Sequence, residues 1–365
     1  MITITYEELF TYEALYRAHL RGRRSKRNKK PLVRFELITL DHLYNLYERI
    51  QSGKFKPGKY STFTVKVPKI REIQTQPYEN RVVQHVLCDN VLTPYFSKRA
   101  ILDNAACQKG KGMHFALDRF EAMLHTHIRQ HGVNGYFLKC DVLKYFPCIP
   151  HKRLKQIICS HIADEQLRKL VEEIIDSYHT KKSFLDKYGI PYRADGEKTG
   201  RGIPIGNQTS QIFGMFYLNS VDRLIKERFQ IKVYSRYMDD FILLHKDKEY
   251  IKAIYEEIKK ELEYLGLKFN SKTQILPIKN GVTYLGFRFK ITPTGKVIRT
   301  VKKSTKQRLR WRARLLKKAY LDGVIPIERV KASLAAFHGH LKCGDNYQFE
   351  NELKRKLNFE RKESQ

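Results

Sequence analysis

Two adjacent carboxylates held between short apolar runs constrain this chain more than any other feature: Val233 to Tyr237, then Met238-Asp239-Asp240, then Phe241 to His245. β-Branched and aromatic residues on both sides of so short a break predict a β-hairpin with both aspartates on its turn, aimed at one spot. Alone, an Asp-Asp pair is most often a turn solvating itself. It does not stand alone, because a further apolar run, Tyr136 to Cys140, closes on Asp141. Hard oxygen ligands that converge from two strands suit magnesium, which takes a few carboxylates plus water and substrate phosphates.

The charge balance points to the partner. Lys and Arg number 70 against 38 Asp and Glu, a formal net charge of +32 over 365 residues. That excess attracts a polyanion over long range, and nucleic acid is the default. A polybasic membrane-surface protein has the same balance, but there is no run of about 18 apolar residues and no signal-like stretch after Met1. The expectation is a soluble, cytoplasmic protein with no membrane partner. The six cysteines form no C-x-x-C pair and no zinc-like grouping, which fits reduced thiols.

Along the chain, residues 1–60 read as a basic N-terminal helical region. It has helical patterns over Tyr6 to Leu20 and Thr39 to Ser52, and between them the run Arg21 to Lys30 reads as a solvated nucleic-acid arm. Residues 61–135 begin with alternation from Ser61 to Gln76, a hairpin with Pro68 near its bend. Residues 136–290 contain the aspartates and a helical and loop insertion over 150–200. Helices are expected over His114 to Gln130, His151 to Tyr178, Gln208 to Arg228 and Lys248 to Leu265, and strands over Thr273 to Leu276 and Val282 to Phe289. Residues 291–365 read as a small helical module with a basic face: from Lys302 to Lys318 there are nine basic residues and no acidic one. Trp311 is expected to anchor that module's packing.

At Arg236-Tyr237-Met238-Asp239-Asp240, following Phe137-Leu138-Lys139-Cys140-Asp141-Val142-Leu143-Lys144-Tyr145-Phe146, the chain resembles the reverse transcriptases in motif order and spacing. The resemblance implies a right-hand polymerase of α+β class: fingers (61–135) and palm (136–290) with an antiparallel sheet and packed helices, and a small α-helical thumb (291–365). It implies Asp141, Asp239 and Asp240 as catalytic metal ligands, with the main-chain carbonyl of Val142 added. Two Mg2+ ions about 3.5–4 Å apart, with Mn2+ as substitute, serve nucleotidyl transfer in this chemistry. Phe146 matches the aromatic that excludes a ribose 2′-hydroxyl; a core aromatic at a strand end is the plain alternative. Lys69 and Arg71 match the residues that neutralise the triphosphate, and Lys272 the lysine proposed to protonate pyrophosphate, with Lys268 close enough to be confused with it.

Gly202-Ile203-Pro204-Ile205-Gly206-Asn207-Gln208-Thr209-Ser210-Gln211 narrows the group. Retroviral and intron enzymes read Q-G-x-x-x-S-P there; this variant, with Ile205, Gly206 and Gln211, resembles the reverse transcriptases of diversity-generating retroelements. Gly206 and Gln211 are thereby implied in substrate binding, and Arg81 and Ile205 in low fidelity around the template base. Thr62 to Val65, Pro68 to Arg71, Asn80 to His85, Ala106 to Gly112 and Tyr284 to Phe287 also look like that group, so the resemblance covers about residues 5–345. The implied partners are a template RNA, cDNA and RNA/DNA duplex, dNTPs and a small basic accessory protein. A defence-associated bacterial reverse transcriptase is the alternative; a non-catalytic nucleic-acid scaffold is a third reading, opposed by the intact carboxylates.

Overall fold

A computed structural model describes residues 1–66 and 70–356, and the chain divides into two compact units. The first comprises Met1–Gly112, Asp141–Gln230 and Ile254–Lys272; the second comprises Met113–Cys140, Ile231–Ala253 and Thr273–Gln365.

The chain opens with helices α1 (Tyr6–Leu9), α2 (Tyr12–Gly22), α3 (Lys30–Glu36) and α4 (Thr39–Gln51). The single helix expected over Tyr6 to Leu20 is two, because the Thr11 side chain accepts from the Ala14 amide and caps a new start. The basic run is only partly solvated: Arg21 pairs with Asp89 at 2.8 Å and Arg23 with Glu36 at 3.1 Å. Strands β1 (Ser61–Val65) and β2 (Arg71–Thr75) pair antiparallel as expected; Pro68, expected near the bend, lies outside the described residues. Helices α5 (Tyr78–Leu87) and α6 (Thr93–Arg99) follow.

Helix α7 (Met113–His131) leads to β3 (Tyr136–Asp141), then α8 (Tyr145–Cys148), α9 (His151–Cys159), α10 (Glu165–Asp176), α11 (Lys182–Lys187), α12 (Gln208–Tyr217) and α13 (Asn219–Arg223). Next come β4 (Val233–Tyr237), β5 (Asp240–His245), α14 (Lys248–Tyr264) and β6 (Gln274–Pro277). The strand expected from Val282 to Phe289 is broken at Leu285 and Gly286, both at positive φ, into β7 (Val282–Tyr284) and β8 (Phe287–Ile291). A further strand, β9 (Val297–Val301), precedes α15 (Lys303–Leu321), α16 (Ile327–Leu341) and α17 (Tyr347–Lys356), so the tail is not helical from Thr292 onward as its composition suggested.

Among the described residues the strands form three sheets: β1-β2, the four-stranded β4-β5-β3-β6, and β7-β8-β9. In the second, β5 lies between β4 and β3, and its residues Phe241 to Leu244 are all buried. A strand covered on both faces needs an uninterrupted apolar run, which is what that stretch supplies. The second unit closes over an aromatic cluster in which the Phe120 ring lies 5.0 Å from Phe289, 5.4 Å from Tyr284 and 6.3 Å from Phe137. In the C-terminal helices Leu309, Val330 and Phe337 are buried, but Trp311 is 59% exposed. It does not anchor packing, because the inward face of α15 runs through Thr305, Leu309 and Ala313.

Among the described residues no helix is long and apolar enough to cross a membrane. None of the six cysteines, all of them described, is in a disulfide. Burial pushes Cys107 and Cys148 up to about 11 and Cys159 to about 12, leaving them protonated and unreactive near neutral pH.

Phe120→Ala should remove about 3–5 kcal/mol of stability, read from denaturant unfolding. A loss below about 1 kcal/mol would mean that this ring is not the centre of its core.

Candidate active site

The hairpin that presents Asp239 and Asp240 has the tightest possible connection. Tyr237 pairs with Asp240, leaving Met238 and Asp239 as a two-residue turn. Met238 takes φ +59, a left-handed conformation that costs a non-glycine residue about 1–2 kcal/mol. Arg236 opposes that cost: its guanidinium is fully buried, 0% exposed, and Nη1 donates to the Met238 carbonyl at 3.0 Å. A buried guanidinium tolerates burial only when acceptors meet it, so it fixes the turn as much as the turn fixes it. Beside it, the Ser235 hydroxyl and the Tyr284 phenol are 3.0 Å apart. Burial, reinforced by the charge of Asp240, drives the Tyr284 phenol far above its ordinary range, so it stays protonated beside the carboxylate. Both aspartates are half-buried.

Asp141 is the last residue of β3, where the chain passes into the first unit. There the Asn270 amide donates to the Asp141 carbonyl at 2.7 Å and the Leu143 amide to the Lys268 carbonyl at 2.9 Å, flanking an antiparallel bridge between Val142 and Phe269. In such a non-hydrogen-bonded pair the peptide groups of Val142 face away from the partner segment. Its carbonyl is therefore not spent on that ladder. Lys272 ends the same segment, exposed, with its amide donating to Asn270 Oδ1 at 3.2 Å. The Lys268 ammonium is directed elsewhere, to the Gly189 carbonyl at 3.4 Å.

The Ile205 loop is bound to β2 by a reciprocal pair. The Gln74 amide donates to the Ile205 carbonyl, and the Ile205 amide donates to Gln74 Oε1, each at 3.2 Å. Arg81 donates to the Thr75 hydroxyl. Arg81 and Ile205 are thus fastened to consecutive residues of one strand. Gly206, at φ +153, lies so close that a Cβ there would meet the Gln74 carbonyl oxygen at 2.1 Å. Gln211 is half-buried, its Oε1 accepting from the Cys107 thiol at 3.5 Å. Arg71 is exposed on β2, and Lys69 lies outside the described residues.

Phe146 is half-buried against α12. A Cβ on Gly214 would meet its Cε1 at 2.6 Å, and the neighbouring Tyr145 hydroxyl donates to the Gly214 carbonyl at 2.7 Å. Sequence reasoning assigned no role to Gly214, Gln74 or Arg236. A lone glycine inside an apolar helical pattern was the available signal for the first; for the other two none exists without knowing which strands and loops touch.

In each unit these positions offer hard oxygen only, the half-buried Asp141 carboxylate and the Val142 carbonyl in the first and the half-buried Asp239 and Asp240 carboxylates in the second, a chemistry that fits magnesium or manganese and not zinc. Among the described residues no group of three or more His, Cys, Asp or Glu side chains forms a ready metal cage. Magnesium seldom uses one, completing its octahedron with water and substrate phosphates.

A sequence profile of the family described as reverse transcriptase (RNA-dependent DNA polymerase) matches residues 64–289. No curated protein matches the chain at a significant level. Among solved structures, apo telomerase from Candida tropicalis aligns with a TM-score of 0.48 at 15% identity, over 72% of this chain and 52% of that one. The chain therefore spans about half the length of that telomerase.

Gly206→Ala should cost about 1–3 kcal/mol, because either the loop or β2 must move to admit the methyl group. Unfolding at the wild-type denaturant midpoint would show that the contact with Gln74 is not tight.

Proposed function

Because the chain belongs to the reverse transcriptase (RNA-dependent DNA polymerase) family, we propose that it copies RNA into DNA, extending a primer 3′ end by two-metal nucleotidyl transfer. The observation that carries the reading is the strand order β4-β5-β3-β6: the strand opening on Asp240 is the immediate neighbour of the strand closing on Asp141. Asp141, Asp239, Asp240 and the Val142 carbonyl are the groups that would hold the metals. Two Mg2+ ions, with Mn2+ as substitute, would activate the attacking hydroxyl and stabilise the leaving pyrophosphate.

The chain's own residues do the rest. Lys69 and Arg71, on the 61–135 fingers, neutralise triphosphate oxygens, and the guanidinium plane of Arg71 covers the incoming base. Lys272 is exposed, and its ammonium would deliver a proton to the departing pyrophosphate. Phe146 closes the sugar pocket, and its ring has a rigid backing because Gly214 gives it room and helix backbone behind it. Gly206 and Gln211 border the nascent pair. Residues 136–290 form the palm, and 291–365 the thumb, whose basic helix grips duplex phosphates without reading sequence.

We assign the enzyme to the diversity-generating retroelement type, error-prone and working with its own template RNA and a small basic accessory protein. The Ile205-Gly206 and Ser210-Gln211 pattern supports this, as does the anchoring of Arg81 and Ile205 to consecutive residues of β2, a strand that borders the template base in this reading. Sequencing the cDNA made on copurifying RNA tests it: substitutions concentrated opposite adenine are expected, and faithful copies would favour the defence-associated alternative.

Asp239→Asn should abolish primer extension while RNA affinity stays within about three-fold, since metal positioning is lost and phosphate grip is not. Equal extension by variant and wild type would refute the assignment. Phe146→Ala should admit ribonucleotides, and Gly214→Ala should do so partly by displacing the ring. An unchanged dNTP/rNTP preference in both would place the gate elsewhere.

A further inference from the structure

The first unit contains a groove of about 560 Å3 that none of these residues lines. Its walls come from α6, α9, α12, α13 and the end of α14, and they carry three arginines, Arg99, Arg153 and Arg223, with the exposed ring of Tyr264. Arg99 and Arg153 are held in an unusual way for surface cations. The Arg99 guanidinium lies 3.5 Å above the Tyr95 ring and donates to the Tyr95 carbonyl at 3.3 Å. The Arg153 guanidinium lies 4.0 Å above the Tyr264 ring and donates to the Gln156 Oε1 at 3.0 Å. Among the described residues neither is in an ion pair with a carboxylate, whereas Arg223 is balanced by Glu227 at 3.2 Å. Aromatic faces orient a guanidinium without neutralising it. Two full positive charges are therefore preorganised in one groove.

Among the described residues the one acid lining the groove, Glu261, accepts from the Ser220 hydroxyl. His161 shares its imidazole Nδ1 with the Tyr95 hydroxyl at 3.2 Å, and burial together with Arg99 lowers its pKa, so the arginines supply the charge near neutral pH. Tyr264 is 63% exposed, a large ring left to solvent at the edge of a basic cleft. Arg153 covers one face of this ring, and guanidiniums beside an exposed aromatic ring are the combination that holds unpaired nucleotides, one part meeting phosphate and the other a base.

We propose that this groove is a second RNA site, which grips phosphodiesters with Arg99 and Arg153, aided by Arg223, and stacks an unpaired base on Tyr264. An acidic protein segment would satisfy the arginines but would leave the ring unused, so single-stranded RNA is the occupant the groove fits better. The proposal rests on the reading that this protein handles RNA, and it adds a place for a stretch of RNA that is not being copied.

The test uses the full chain and two probes, a long oligouridylate and a polyglutamate of matched charge, with binding measured in the absence of dNTPs. Extension of a short pre-annealed primer–template is measured separately. Arg99→Gln/Arg153→Gln should weaken oligouridylate binding about ten-fold and make the slope of log K against log salt shallower by about 1.4, two phosphates at about 0.7 each. Tyr264→Ala, at an exposed position, should weaken oligouridylate binding about five-fold or more and polyglutamate binding by clearly less, because it removes the stacking platform while only loosening Arg153. Short-duplex extension should persist in both variants. Wild-type oligouridylate affinity in the Tyr264 variant, or polyglutamate competing as well as oligouridylate, would overturn the proposal. A wild-type chain that binds oligouridylate through these residues but extends no primer would strike the polymerase reading and leave the groove standing.

Discussion

Carboxylates repel one another, and a turn that presents two of them in succession would spread or fray unless its backbone were held more firmly than the repulsion pushes. The ladder β4-β5-β3-β6 provides that hold: every residue from Val233 to Tyr237 is matched across to β5, with the connection reduced to Met238 and Asp239. Arg236 adds a cation beneath the turn, buried so completely that its attraction is little screened. The position of Asp239 and Asp240 follows from this frame. The segment flanking Val142 repeats the device on a smaller scale, with two backbone bonds holding Asp141 and Leu143 while the Val142 carbonyl faces away.

The same logic explains where the chain accepts local cost. Met238 adopts a left-handed turn conformation, Gly206 allows the backbone of one segment against another, and Gly214 gives up helix propensity to seat an aromatic ring. Each lies at or beside a residue proposed to handle substrate, and each is secured by its neighbours: Arg236 for the turn, Gln74 for the loop, Tyr145 for the helix. Positive charge is managed by two routes. Some cations are tied to carboxylates, as Arg299 is to Asp118 and Glu121, while Arg99 and Arg153 rest on rings and keep their charge for a ligand.

Much was legible beforehand. The hairpins over Ser61 to Thr75 and Val233 to His245, the strand into Asp141, and helices α7, α9, α10 and α14 follow from period and composition, because each buries one clear face or one continuous run. Among the features that were misread, three have a local reason that can be named. Thr11 broke a helix whose apolar period ran straight through it. Leu285 and Gly286 broke a strand that alternation alone continued. Trp311 turned outward because Leu309 and Ala313 already filled the inward face of α15.

The amino-acid order alone determined that this chain carries three aspartates at strand ends, a strongly positive surface and an aromatic five residues beyond the first aspartate, since these are local properties of residue type and spacing. Only the folded chain decided that Gln74 clasps Ile205, that Gly214 accommodates Phe146, that Arg236 supports the turn, and that Arg99, Arg153 and Tyr264 share one groove. Contacts between residues remote in sequence depend on which sheets and helices come together, and that choice is made by packing the whole core.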